Sequence, residues 1–304
     1  MLNKKIAAII VTYNRKKLLI QCLDTVLSQT SKPDKIIIID NASTDGTSDI
    51  LQEKGYLDKP IVKYVHLKEN TGGAGGFYQG MKIGHNDGYD YLWLMDDDGY
   101  PEQDCLEKLL LGKEKFDIIG PSVVLPNDSS SLTWGVRSFN SSGQFKPRGL
   151  IYRYSQLVEI SHNGWYDGFA NFFNGILLKK EVMDKVGYIL PELFCWGDDL
   201  EYFLRCKSSQ IKIGTSTQAI YRHPYNSPST TKLRYYYVLR NLFYNYSKYG
   251  KTIYPKYWRL LYPIYILIKY IRQIPSLSPR YIWTLFQGIY KASQKLLVPF
   301  PLYK

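Results

Sequence analysis

Tyr91-Leu92-Trp93-Leu94-Met95-Asp96-Asp97-Asp98-Gly99-Tyr100-Pro101 is an apolar run that ends abruptly in three carboxylates, then in glycine and proline. Short, aromatic and unbroken, it predicts a buried strand. Gly99 and Pro101 stop it. Three acids at a strand end repel one another unless something cationic sits among them. In an extended segment Asp96 and Asp98 point to the same side. Two such carboxylates at the carboxyl edge of a sheet suit Mn2+ or Mg2+, hard ions that take oxygen ligands and share them with phosphates. The alternative is a solvated acidic turn, and the triplet alone does not decide between them.

Upstream, the same pattern recurs. Ile6-Ala7-Ala8-Ile9-Ile10-Val11 is continuously apolar, as central parallel strands are, and runs into Thr12-Tyr13-Asn14-Arg15. A helix is predicted from about Lys16 to Gln29, with Leu19, Cys22, Leu23, Val26 and Leu27 on one face. Lys35 to Asp40 is a second apolar strand closing on an acid, and Asn41 to Thr47 is a turn able to cap a helix. Val62 to Leu67 predicts a third strand, leading into Asn70-Thr71-Gly72-Gly73-Ala74-Gly75-Gly76-Phe77, with a helix expected over Tyr78 to Ile83. Alternation of strand and helix predicts an α/β chain with a mostly parallel, doubly wound, Rossmann-like sheet and flanking helices. Ligands bind outside the carboxyl ends of such strands. Thr12–Arg15, Asp40, Asn70–Gly76 and Asp96–Asp98 all fall there.

Three segments together resemble the inverting GT-A glycosyltransferases of family 2: Val11 to Arg15, Ile39 to Thr47, and Met95 to Asp98. The glycine-dense Asn70 to Phe77 followed by the triple Asp is similar to the galactofuranosyltransferase branch; rhamnosyltransferases are close. The resemblance spans about residues 4 to 225. It implies a nucleotide-sugar donor held by Thr12, Tyr13, Asn14, Arg15, Asp40, Asn70, Gly72, Gly73 and Asp97. It also implies a divalent metal, Mn2+ or Mg2+, on Asp96 and Asp98. Asp40 can accept from uracil or ribose groups, and glycines let backbone approach a ligand closely.

Further along, Phe116 to Pro121 predicts another strand, and Asn127 to Gly149, rich in Ser, Asn and Gly, predicts loops or an edge hairpin. Phe172 to Leu178 is a strand. Phe194-Cys195-Trp196-Gly197-Asp198-Asp199-Leu200-Glu201 opens a helix with acids in its first turn, where the helix dipole favours them. Inverting transfer needs one base to take the acceptor proton and a cation to hold the leaving diphosphate. By the resemblance Asp199 is the base and Asp198 a neighbour able to touch the acceptor. The bland alternative is a pair of capping acids. Ala219 to Pro224 is a short strand ending in His223. A lone His before Pro is usually structural, but the resemblance implies a third metal ligand there.

The formal net charge of +12 is uneven. From Asn226 to Lys304 there are 13 basic residues, no acid, and 14 of the 28 tyrosines. The remaining 26 basic residues nearly balance 27 acids. An acid-free basic and aromatic tail points to an anionic surface, lipid or nucleic acid. Its most apolar stretch, Leu260 to Ile268, is far shorter than the ~20 residues of a spanning helix. The division expected is a catalytic domain over residues 1–225 and a mainly helical, membrane-associating region over 226–304. Cys22, Cys105, Cys195 and Cys206 form no CxxC pair and no signal peptide is evident, which suits reduced thiols in the cytoplasm.

The expectation is therefore a glycosyltransferase on the inner face of the cell membrane. It would move galactofuranose from UDP-galactofuranose to a glycan or lipid-linked glycan, with a homo-oligomer possible and no nucleic acid expected. Rhamnosyl transfer from dTDP-rhamnose is the second enzymatic reading. A nucleotidyltransferase would open with a glycine-rich basic loop where Thr12 to Arg15 stands. A basic membrane- or RNA-binding module would explain the tail but not the acids at the strand ends.

Overall fold

The computed structural model describes residues 4–225, 231–274 and 278–300. The expected junction at residues 225 and 226 adjoins positions outside the described residues. In chain order the elements begin β1 (Ile6–Thr12), α1 (Lys16–Leu27), β2 (Lys35–Asp40), α2 (Thr47–Glu53), β3 (Val62–His66), α3 (Gly72–Asn86), β4 (Tyr91–Asp96), β5 (Tyr100–Pro101) and α4 (Cys105–Leu110). The middle holds β6 (Ile118–Leu125), β7 (Asp128–Phe139), β8 (Phe145–Arg153), α5 (Tyr154–Glu159), β9 (Trp165–Asp167), β10 (Asn174–Lys179) and α6 (Lys180–Val186). Then follow α7 (Asp198–Ser208), β11 (Ile213–Arg222), α8 (Lys232–Ile253), α9 (Lys256–Ile271) and α10 (Pro279–Ser293).

The sheet runs β3-β2-β1-β4-β10-β6-β11-β5. Its first four strands are parallel, β10 runs against β4 and β6, and β6 pairs parallel with β11. All seven residues of β1 are buried, as a strand covered on both faces requires. The parallel register brings Thr12 beside Asp40 and Val11 beside Asp96. The strand-end polar groups expected to meet are therefore neighbours at one edge. Residues 127–149, expected as loops or an edge hairpin, form most of the long β7–β8 hairpin, attached to β6.

The glycine segment differs from the expectation. The helix begins at Gly72, not Tyr78, so most of these glycines are helical. Their main reason is packing. A Cβ on Gly76 would stand 2.5 Å from Val11, on Gly80 2.2 Å from Ile9, and on Gly84 2.5 Å from Leu92. Spaced by four, these three positions make one bare stripe that lets α3 lie directly on β1 and β4. Gly73 is different, with open space where its Cβ would be.

The first helix of the expected membrane-associating region is part of the core. Tyr235, Tyr236, Leu239, Tyr244 and Tyr249 of α8 join the same buried cluster as β1, α3 and α7. The tail is rich in tyrosine partly because α8 is a core helix. Among the described residues of the tail, α9 and α10 show apolar faces to solvent, through residues such as Leu260, Ile264, Trp283 and Phe286.

Two substitutions separate these glycine roles. Gly80→Val should destabilise the fold by roughly 1–3 kcal/mol, since overpacking a tight contact has no relief. Gly73→Ala should change stability by less than about 1 kcal/mol. Urea unfolding midpoints of both variants check the contrast.

Candidate active site

Strand β4 stops at Asp96 and a turn follows, so Asp98 is not the next same-side residue of a strand, as the sequence suggested. The turn instead divides three roles. Asp97 is buried, accepting from the Thr12 hydroxyl at 2.6 Å and from Arg15 at 3.2 Å. Asp98 accepts from Arg15 at 2.7 Å through one oxygen and meets His223 Nε2 at 2.9 Å through the other. The Asp96 carboxylate accepts no hydrogen bond among the described residues. The sequence-derived metal set is thus brought together at Asp98 and His223, with Asp96 beside them. Among the described residues no three His, Cys, Asp or Glu side chains converge in a metal-binding arrangement.

Electrostatics follow from this division. Burial pushes Asp96 well above the ordinary carboxylate range, aided by the charges of Asp98 and Asp97. Burial also lifts Asp97 to about 6, against the pull of Arg15 and the Thr12 hydroxyl. For Asp98 burial works upward too, but the hydrogen bond and charge from His223, with Arg15, hold it below its usual value. One guanidinium, half exposed to solvent, therefore balances part of three acids.

His223 sits where β11 ends. Its Nδ1 is 2.7 Å from the Pro224 carbonyl oxygen, which can only accept, so Nδ1 carries a hydrogen. Nε2 is then the ring nitrogen that faces Asp98, at 2.9 Å, and the one a cation beside that carboxylate would take. The Thr133 hydroxyl fixes the His223 carbonyl at 2.8 Å, and the Trp134 ring lies 5.4 Å from the imidazole. An imidazole and carboxylates, one of them without a hydrogen-bond donor, fit a divalent cation in chemistry.

The donor-side residues split into two groups. Asp40 is buried, and its oxygens accept from the Ser43 amide at 2.8 Å and from the Tyr64 hydroxyl. Asn14 and Asn70 accept from the Thr44 and Gly72 amides, at 2.7 and 2.8 Å. These three organise backbone. Tyr13, exposed, Arg15 and Gly73 remain open to a ligand. Sequence reasoning missed Asn41, which is buried, receives the Thr71 amide and donates to the Gly72 carbonyl at 2.7 Å. It ties the β2 turn to the start of α3. It missed Tyr64 as well, an alternating strand residue that nothing marked out.

Asp198 and Asp199 open α7 after Gly197, whose φ of 94° favours glycine. Asp198 is buried and Asp199 is exposed, on a cleft it lines with Arg137, Asn171 and Phe172. Burial and the charge of Asp199 push Asp198 up to about 7. The protein mass around the cleft raises Asp199 as well, opposed by the Leu200 amide and the Arg137 charge. Asp198 in turn contributes to the upward shift of Asp96, so the two acid clusters share one electrostatic neighbourhood.

Residues 7–172 match the family described as Glycosyl transferase family 2. The chain belongs to this family. It is 32% identical over 228 residues to galactofuranosyltransferase GlfT1 of Mycolicibacterium smegmatis, a match covering 72% of this chain and 70% of that one. A crystal structure of S. aureus TarS superposes with a TM-score of 0.56 at 16% identity, over 95% of this chain and 49% of that one. A crystal structure of GalNAc-T7 with UDP, GalNAc and Mn2+ gives 0.57 at 14% identity, over 91% and 58%. The fold of this family 2 chain is GT-A, and the protein is a glycosyltransferase.

The raised Asp198 implies a pH-dependent stability. Its native pKa of about 7 lies above the unfolded value near 3.8, so the native state binds the extra proton between them. Stability then falls as pH rises through that window. Asp198→Asn should therefore raise the melting temperature at pH 8, and the gain should vanish below about pH 4. Thermal melts of both proteins across pH 4 to 8 decide this.

Proposed function

We propose that this glycosyltransferase inverts the anomeric centre while moving galactofuranose from UDP-galactofuranose to a hydroxyl of a cell-surface polysaccharide or lipid-linked glycan. The observation that carries the donor is the 32% identity to a galactofuranosyltransferase over most of both chains. The acceptor oxygen attacks the anomeric carbon as the bond to the diphosphate breaks. Asp199, open to the cleft, takes the proton the acceptor loses. Asp198, buried beside it, holds the helix start and adds negative potential toward the acid cluster. Arg15, Tyr13 and Gly73 meet the donor, while Asp40, Asn14, Asn70 and Asp97 shape its bed. Asp98 and His223, with Asp96, would hold Mn2+ or Mg2+, which when bound offsets the charge of the departing UDP.

We further assign the enzyme to the inner face of the cell membrane, held peripherally. No helix among the described residues is long and apolar enough to cross a membrane. On α9 the face carrying Tyr262 and Ile266 packs inward, while Leu260, Leu261, Ile264 and Ile268 face solvent. Lys256, Lys269 and Arg272 are exposed on the same helix or at its end, in a stretch of sequence without acids, and anionic lipid is the surface that suits both.

Three experiments test the catalytic reading. Asp199→Asn should lower transfer by roughly 10²–10⁴ with UDP affinity nearly unchanged. EDTA or Asp98→Ala should remove metal-dependent donor binding, and full activity in EDTA would exclude the metal. A panel of nucleotide sugars that favours dTDP-rhamnose would replace the donor assignment.

Vesicle co-sedimentation addresses the membrane. Each basic residue at an anionic leaflet contributes about 1 kcal/mol, so binding should rise with anionic lipid and fall with salt. Equal, salt-insensitive binding to neutral vesicles would make apolar insertion dominant. Binding to RNA alone would end the membrane reading.

A further inference from the structure

The backbone leading into α7 is strained. Phe194 has φ 64° and ψ −71°, and the Cys195 amide donates to the Leu193 carbonyl at 2.8 Å. That is the rare γ-turn of positive φ. After Cys195, Trp196 at φ 62° and Gly197 at φ 94° follow. Bulky residues keep such angles only where the surroundings over-determine them.

The surroundings here are three side chains of α8. Arg240, fully buried, donates through Nη2 to the Glu192 and Leu193 carbonyls at 2.8 and 2.9 Å. Its Nε and Nη2 also reach Asn241 Oδ1. Asn241 Nδ2 lies 2.9, 3.0 and 2.9 Å from the Leu193, Cys195 and Trp196 carbonyls. Asn245 Nδ2 donates to the Gly197 carbonyl at 2.9 Å. The Phe194 carbonyl accepts from Ala74, in the first turn of α3, at 2.9 Å. Every carbonyl from Glu192 to Gly197 thus has a donor, five of them from α8 and one from the glycine-rich helix. One turn into α7, the buried Glu201 is gripped again by α8, by the Tyr249 hydroxyl at 2.7 Å and Lys248 at 3.2 Å.

Arg240 has no carboxylate partner among the described residues. A core that needed only filling would be served as well by an apolar side chain. So many donors aimed at one strained loop point instead to geometry. We propose that Arg240, Asn241 and Asn245 are positioning residues for sugar transfer. They fix where Asp198 and Asp199 stand relative to the acids at the end of β4. Helix α8 is then a working part of the catalytic apparatus, not only a link to the rest of the tail. The inference rests on the proposed role of that acid pair.

Asn245→Leu is the sharpest probe in the full chain. It removes one bond to the loop and also removes Asn245 Oδ1, which is buried without a partner among the described residues. Overall stability should therefore change little. Amide exchange over residues 193–200 should quicken at least tenfold, with other segments unchanged. Turnover of UDP-galactofuranose should fall roughly tenfold or more through kcat, with UDP affinity kept within about twofold. Asn241→Asp keeps the acceptor for Arg240 but loses the donors to three carbonyls, and should act more strongly in the same sense. Unchanged exchange at 193–200 in both folded variants overturns the clamp. A loosened loop with unchanged turnover overturns its catalytic meaning. A wild-type chain that turns over no nucleotide sugar sinks the acid-pair assignment and that meaning with it, while exchange still reports the clamp.

Discussion

Like charges gathered at one sheet edge are the constraint around which this molecule is built. Asp96, Asp97 and Asp98 leave a single strand end within reach of Arg15, Thr12 and His223. Asp198 adds to the same field from another element. Each acid resists ionisation by burial, and only Asp98 has enough positive partners to stay below its ordinary range. A fold does not collect such repulsion for stability. Under the proposed function the cost has a use, because a dense negative field, partly neutralised, would suit a ligand that brings positive charge with a diphosphate.

Bringing these groups together requires close approach of the elements that bear them. The bare stripe of α3 lets that helix settle onto β1 and β4, which aligns its first turn with the strand ends. Gly72 shows how tight the result is: a Cβ there would lie 2.1 Å from the Phe194 carbonyl oxygen. The start of α3 therefore touches both the donor edge, through Asn41, and the loop before α7.

The strands were legible because their residues are uniformly apolar and stop at acids or glycines. Asp98 and His223 were expected together only because the resemblance implied it, and the turn after Asp96 upset the alternation that paired Asp96 with Asp98. The helical role of Gly76, Gly80 and Gly84 was hidden, because glycine reads locally as a loop former and only the partner strand reveals a packing stripe. Tyr64 and Asn41 were invisible for a related reason. Their meaning lies in contacts with Asp40, Thr71 and Gly72, set by register and turn geometry.

The tail shows most clearly where composition misleads. A run of cations without acids reads as a surface built for anions, and for α9 and α10 that reading agrees with the exposure of Lys256, Lys269 and Lys291. Within α8 it does not. Arg240 is sealed from solvent and neutralised by carbonyl dipoles, and Lys248 faces the buried Glu201. Arg240 is closed to a lipid headgroup, and Lys248, though exposed, is tied to Glu201. Net charge counts them alike with Lys269 and Arg280, yet their work is done inward, on the backbone that carries Asp198 and Asp199. The same helix that leads to the apolar face of α9 therefore also holds the backbone just before the acid pair, and a cut meant to test the proposed surface attachment must fall beyond α8 if it is to leave that loop in place.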